Sequence, residues 1–125
     1  MILIRKWKIV NTIILVASIA IIFLGCLPGG IKEKANQQFG DQRFKTAIQL
    51  IELHKLREGD YPLSLDSLKY LGDWDGMIFG SVKYTKLKTG YELDLINGWV
   101  GKPEELEYPK EFWKGLGLVK SNLKK

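Results

Sequence analysis

Residues His54–Ser67 read HKLREGDYPLSLDS. A strongly helical run stops at Gly59, passes through Asp60-Tyr61-Pro62, and offers Ser64 as a new start. Glycine reaches the left-handed backbone region that closes a helix, and Lys55 and Arg57 put cations where the helix dipole favours them. Tyr61-Pro62 then holds the chain extended, because proline disfavours the α region for the residue before it. A long helix therefore hands over to a separate globular head at this corner, formed by Gly59, Tyr61, Pro62 and Ser64.

Upstream of the corner, Ala35–Glu58 predicts one helix of about six turns at 3.6 residues each. At 100° per residue, Phe44, Ala47, Ile48, Leu50, Ile51 and His54 share a broad apolar arc, with Lys45, Gln49, Glu52 and Lys55 beside or opposite it. Gly40 is a weak point within this helix. His54 is the only histidine. No Ser, Cys or Asp is placed by spacing as its partner, so it reads as a packed, singly hydrogen-bonded side chain rather than a base.

Downstream, Pro62–Gly72 (PLSLDSLKYLG) predicts a short second helix with Ser64 as N-cap, Gly72 as stop, and Leu65, Leu68 and Leu71 facing inward. Asp73-Trp74-Asp75-Gly76 resembles the opening of a calcium loop, but the later oxygen ligands are lacking, so it predicts a turn and no metal. Val82 and Tyr84, then Tyr91, Leu93 and Leu95, alternate with polar residues. That is the period of two antiparallel strands joined near Lys88–Gly90. Asn97-Gly98 is a tight-turn pair, after which Trp99-Val100 predicts a third short strand. The remainder reads as loop, pinned by Phe112 and Trp113, with a frayed end. Glu104, Glu105 and Glu107 flank Pro103 and Pro109 in a solvated loop. No phosphate loop, nucleophile elbow or zinc-protease helix occurs, and no cofactor is implied.

The first 27 residues pair a basic cluster, Arg5, Lys6 and Lys8, with an uncharged apolar run from Ile9 to Leu27. Such a run predicts a transmembrane helix embedded in lipid through residues 9–27. The preceding cations predict a cytoplasmic N-terminus and a single-pass protein whose C-terminal domain is periplasmic or extracellular. The organisation expected is a membrane anchor or signal segment over 1–30 and an exported domain over 31–125. Cys26 is the only cysteine, which excludes an internal disulfide and a cysteine-based zinc site. Phe23–Cys26 (FLGC) is similar to a bacterial lipobox at Gly25 and Cys26, so Cys26 is a candidate lipidation site; the alternative is a plain apolar cysteine in a signal anchor. The formal charge is +5, yet the three cations of the first segment account for most of it. The rest carries 16 basic against 14 acidic residues, mixed along the chain, which argues against nucleic acid.

The run from Ala47 to Leu71 resembles type IV pilins and the major pseudopilins of type II secretion. The matching residues are Ala47, Leu53, Gly59, Tyr61 and Pro62 at the helix end, and Leu65, Leu68 and Leu71 after it. His54 stands where an aromatic is usual. A prepilin peptidase site and a glutamate inside the apolar run, both features of that family, are missing from this sequence. The resemblance implies an α+β fold: a transmembrane helix, then an amphipathic helix packed on a small antiparallel sheet as a pilin-like head. It implies a non-catalytic role through protein–protein contacts, with Trp74, Trp99 and Trp113 as candidate contact residues. The second reading is an envelope lipoprotein, lipidated at Cys26, with a binding domain. The partner and the oligomeric state are left open.

Overall fold

The structure, a computed structural model, describes residues 2–26 and 30–124, and the side-chain surroundings of 2–21 and 30–124. It divides into two compact units, Met1–Lys32 and Glu33–Lys125. Helix α1 (Ile2–Cys26) forms the first. Its polar side chains bond to their own backbone: Thr12 Oγ1 donates to the Lys8 carbonyl at 2.9 Å and Ser18 Oγ to that of Ile14 at 2.8 Å. Among the described residues, however, no helix is long and apolar enough to cross a membrane. Arg5, Lys6 and Lys8, expected to precede the span, lie inside α1. The transmembrane helix, the single-pass orientation and the localisation built on them are therefore not supported. The side chain of Cys26 lies outside the described residues, as do Leu27, Pro28 and Gly29.

Helix α2 (Gly30–Glu58) starts five residues before the predicted Ala35 and runs without a break to the corner. Gly40 is a notch for packing: a Cβ there would meet Pro103 Cγ at 2.7 Å and Leu95 Cδ2 at 3.1 Å. At the far end Gly59 takes φ +82° and its N–H donates to the Lys55 carbonyl at 2.9 Å. The corner is held from outside as well. The Tyr84 hydroxyl donates to the Pro62 carbonyl at 2.6 Å, His54 Nδ1 lies 3.0 Å from the Asp60 carbonyl oxygen, and Lys86 pairs with Asp60 at 2.8 Å.

The predicted second helix is cut down to a single 3-10 turn, Leu65–Ser67. Ser64 is extended and its side chain makes no cap. An α-helix would pair the Leu65 carbonyl with the Lys69 N–H. That carbonyl instead accepts the Leu68 N–H at 3.2 Å and the Tyr70 hydroxyl at 2.9 Å, which ends the turn. Leu68 is buried, but Leu71 is exposed rather than inward. The next segment is a turn closed by Asp75, whose Oδ2 accepts the Leu71 and Gly72 N–H groups at 3.1 and 2.8 Å. A second 3-10 helix, Asp75–Gly80, buries Ile78.

Strands β1 (Val82–Lys86) and β2 (Tyr91–Leu95) form the expected antiparallel hairpin, in register from Val82 opposite Leu95 to Lys86 opposite Tyr91. Gly90, at φ +90°, accepts the Leu87 N–H at 3.0 Å to close the reversal. Trp99-Val100 is not a strand. The third strand is β3 (Leu118–Lys120), which follows the short helix α3 (Lys110–Trp113) and lies parallel to β2. The sheet, ordered β1-β2-β3, is thus mixed rather than antiparallel. Past β3, the Asn122 side chain substitutes for a strand: Oδ1 accepts the Leu95 N–H at 2.9 Å and Nδ2 donates to the Leu95 carbonyl at 2.8 Å. Leu123 is buried and the backbones of Glu107 and Lys124 pair in an isolated parallel β-bridge, so this end is fastened where fraying was expected.

The core sits between α2 and the sheet. Phe44, Ala47 and Ile51 from the helix and Tyr91, Leu93 and Leu95 from β2 are fully buried. A second layer is aromatic: the Phe44 ring stacks on Tyr108 at 5.8 Å and meets Trp113 edge-on at 6.2 Å. At the corner end, the Glu52 carboxylate accepts the Gly117 N–H at 2.8 Å, the Tyr91 hydroxyl at 3.0 Å and the Tyr61 hydroxyl at 3.2 Å.

Glu52→Ala should destabilise the domain by about 3 kcal/mol in urea denaturation, because buried donors lose a charged acceptor. Glu52→Gln, which keeps an acceptor oxygen, should cost about 1 kcal/mol. Equal costs would show that the site only fills space.

All five tyrosines titrate above their ordinary value of about 10. Burial is the leading cause, and it pushes Tyr84 up to about 12. A raised phenol pKa gives stability that is complete below pH ~10 and lost as pH climbs through the folded value. Tyrosinate absorbance should therefore stay low near pH 10 and rise steeply toward pH 12 together with loss of the fold. A smooth titration centred at 10 would contradict this packing.

Candidate functional site

Helix α2 carries a second face beside its core face. Phe39, Gln42, Arg43 and Thr46 recur at helical spacing along it and form one wall of a cleft of about 420 Å³. The opposite wall comes from the 72–80 region, through Trp74 and Met77, and the rim from Trp99. Three elements distant in sequence thus converge on one opening. Its apolar side chains are left in water: Trp74 is 79% exposed, Trp99 54%, Met77 44% and Phe39 38%.

The loop bearing Trp99 is fixed by Asn36, a buried residue of α2. Asn36 Oδ1 accepts the Trp99 and Val100 N–H groups at 3.0 and 2.6 Å, and Nδ2 donates to the Val100 carbonyl at 3.3 Å. Gly98 lies directly against the Asn36 backbone, where a Cβ would come within 2.3 Å of the carbonyl oxygen. Asn97 Oδ1 closes the loop by accepting the Gly101 N–H at 2.8 Å. The Trp99 ring then rests 6.5 Å from that of Phe39. The backbone N–H groups that a third strand would have paired are satisfied here by one amide side chain.

Arg43 lies half-buried at the base of the cleft. Nη1 donates to the Gly98 carbonyl and, at 3.1 Å, to Ser81 Oγ; Nη2 approaches Met77 Sδ at 4.0 Å. Its guanidinium lies 5.4 Å from the Phe39 ring centre, a cation–π distance. Among the described residues its partners are neutral: the ion pairs formed are Lys45–Asp41 and Lys86–Asp60. Asp75 reaches the same cleft, but its carboxylate is turned back onto the Leu71 and Gly72 amides.

Neither a family model, nor a curated protein, nor a solved structure matches the chain. The resemblance to pseudopilins thus rests on the Ala47–Leu71 run of this sequence alone, and no relative supports a pilin-like or membrane assignment.

Two of the three candidate contact tryptophans, Trp74 and Trp99, meet at the cleft. Trp113 does not: it is buried in the aromatic layer with Phe44, Tyr108 and Phe112. Gly59, Tyr61, Pro62 and Ser64 shape the corner, and Tyr61 does so by packing on Tyr91 at 5.0 Å and over Gly117. Sequence reading did not single out Phe39, Arg43 and Met77. The i, i+4 pair Phe39 and Arg43 on one helix face was the available signal.

Asn36→Ala removes the hydrogen bonds that hold the 97–101 loop. The expected cost is about 2 kcal/mol in stability, with fast amide hydrogen exchange at Trp99 and Val100. Unchanged protection at those two amides would show that the loop is held by other contacts.

Proposed function

We propose that Glu33–Lys125 is a non-catalytic domain that acts through protein–protein contacts, and that the cleft between Trp74 and Trp99 is its contact surface. The observation that carries this reading is the convergence of two exposed indoles from separate elements onto one opening. Indole rings bring large contact area at low entropic cost and dominate binding energy at protein interfaces. Holding them in water gives nothing back to the fold, whereas Trp113, of the same residue type, is buried.

In vivo cross-linking through a photoreactive residue at position 74, followed by mass spectrometry, should yield a discrete protein adduct. Trp99→Ala should reduce that adduct at least tenfold. Both positions are exposed, so each substitution should change stability by no more than about 0.5 kcal/mol. No discrete adduct at position 74, with a folded domain, would overturn the reading.

A further inference from the structure

We infer that the partner segment held in the Trp74–Trp99 cleft is an acidic one, an extended stretch of chain that sets an apolar or aromatic side chain beside a carboxylate. The inference rests on the cleft being a contact surface and adds the chemistry of its occupant. The guanidinium of Arg43, which has no carboxylate partner among the described residues, decides it. Arg43 brings a permanent cation to the base of the cleft, and the groups that hold it, the Gly98 carbonyl, Ser81 Oγ and Met77 Sδ, are all neutral. Those bonds employ Nη1 and one side of Nη2, so the planar fork still has N–H groups for a carboxylate, the acceptor whose geometry matches it. The one acidic residue of the cleft, Asp75, turns its Oδ2 back to the Leu71 and Gly72 amides at 3.1 and 2.8 Å and forms no ion pair with Arg43.

The walls select the rest of the ligand. Trp74, Trp99, Phe39 and Met77 offer exposed apolar surface to a side chain, and the rings lower the local dielectric around the guanidinium. A carboxylate seated there is shielded from water and gains more from Arg43 than it would on an open surface. A basic segment would bring a second cation against Arg43, which like-charge repulsion penalises. The aromatic rings alone would accept a cationic side chain; Arg43 is what turns the preference around.

Selection of a random dodecapeptide phage library on the full-length chain tests this without a known partner. Peptides that pair Asp or Glu with Phe, Trp or Leu should be enriched, and a synthetic representative should bind at least tenfold more tightly than its Asp/Glu→Asn/Gln version. Binding should weaken as salt is raised. Trp74→Ala, at an exposed site, should reduce it about tenfold, and Arg43→Gln should abolish the preference for the acidic over the amide peptide. Enrichment of neutral or basic peptides, or equal affinity for the two synthetic forms, would overturn the assignment of an acidic partner. If a cross-linked adduct at position 74 is found in the same protein, the contact surface stands while its chemistry falls; if neither adduct nor Trp74-dependent peptide appears, both fall.

Discussion

The Glu52 carboxylate is the point on which the domain closes. It receives an N–H from Gly117, a hydroxyl from Tyr91 and a hydroxyl from Tyr61. Those three groups belong to the C-terminal segment, to β2 and to the corner, while Glu52 itself belongs to α2. Tyr91 is fully buried, and a buried hydroxyl with no acceptor would cost about 1–3 kcal/mol. The carboxylate removes that cost and fixes where the C-terminal segment must lie. Gly117 donates to Glu52 and accepts the Tyr91 N–H at 2.9 Å, so the parallel pairing of β3 follows from the same contact. Only glycine fits at 117, since a Cβ would come within 1.9 Å of the Tyr61 hydroxyl oxygen.

With that end closed, α2 is free to carry a different chemistry nearer its start. Its core face, through Phe44, Ala47 and Ile51, is buried completely, which holds the helix rigid against the sheet. The neighbouring face then presents Phe39 and Arg43 from a fixed backbone. Asn36 extends this rigidity to the loop by replacing strand hydrogen bonds with its own amide. Exposed aromatic side chains usually fold back on apolar surface. Here the loop and the Asp75 turn hold Trp74 and Trp99 apart across an opening instead.

The parts legible in the sequence are those whose cause is local. Gly59 and Pro62 end and redirect the helix by their own backbone limits, and the alternation of Tyr91, Leu93 and Leu95 gives β2 its buried face. Where the reading failed, a distant residue had taken over a backbone group. Ser64 looked like an N-cap, but Tyr70 claims the carbonyl that a helix would have used. Trp99-Val100 looked like a strand, but Asn36, more than sixty positions away, holds its amides. Leu118–Lys120 had too short a period to show as a strand until Glu52 and Tyr91 placed it. The apolar run at the N-terminus was read for hydropathy, while its cations lie in the same helix and no described helix is long and apolar enough to cross a membrane.

Arg43 would be a costly residue if stability were its only purpose. A half-buried guanidinium loses hydration, and neutral acceptors repay only part of that loss. A leucine or methionine of similar length would fill the space between Phe39 and Met77, and replacing buried charge by apolar volume is often neutral or stabilising. The replacement would also take the Arg43 donor from the Gly98 carbonyl and Ser81 Oγ, while Asn36 went on holding the Trp99 and Val100 amides. What such a substitution would remove is the one positive charge of an apolar cleft. The half-buried cation and the two exposed indoles each depart from what packing alone would select, and they do so in the same cleft.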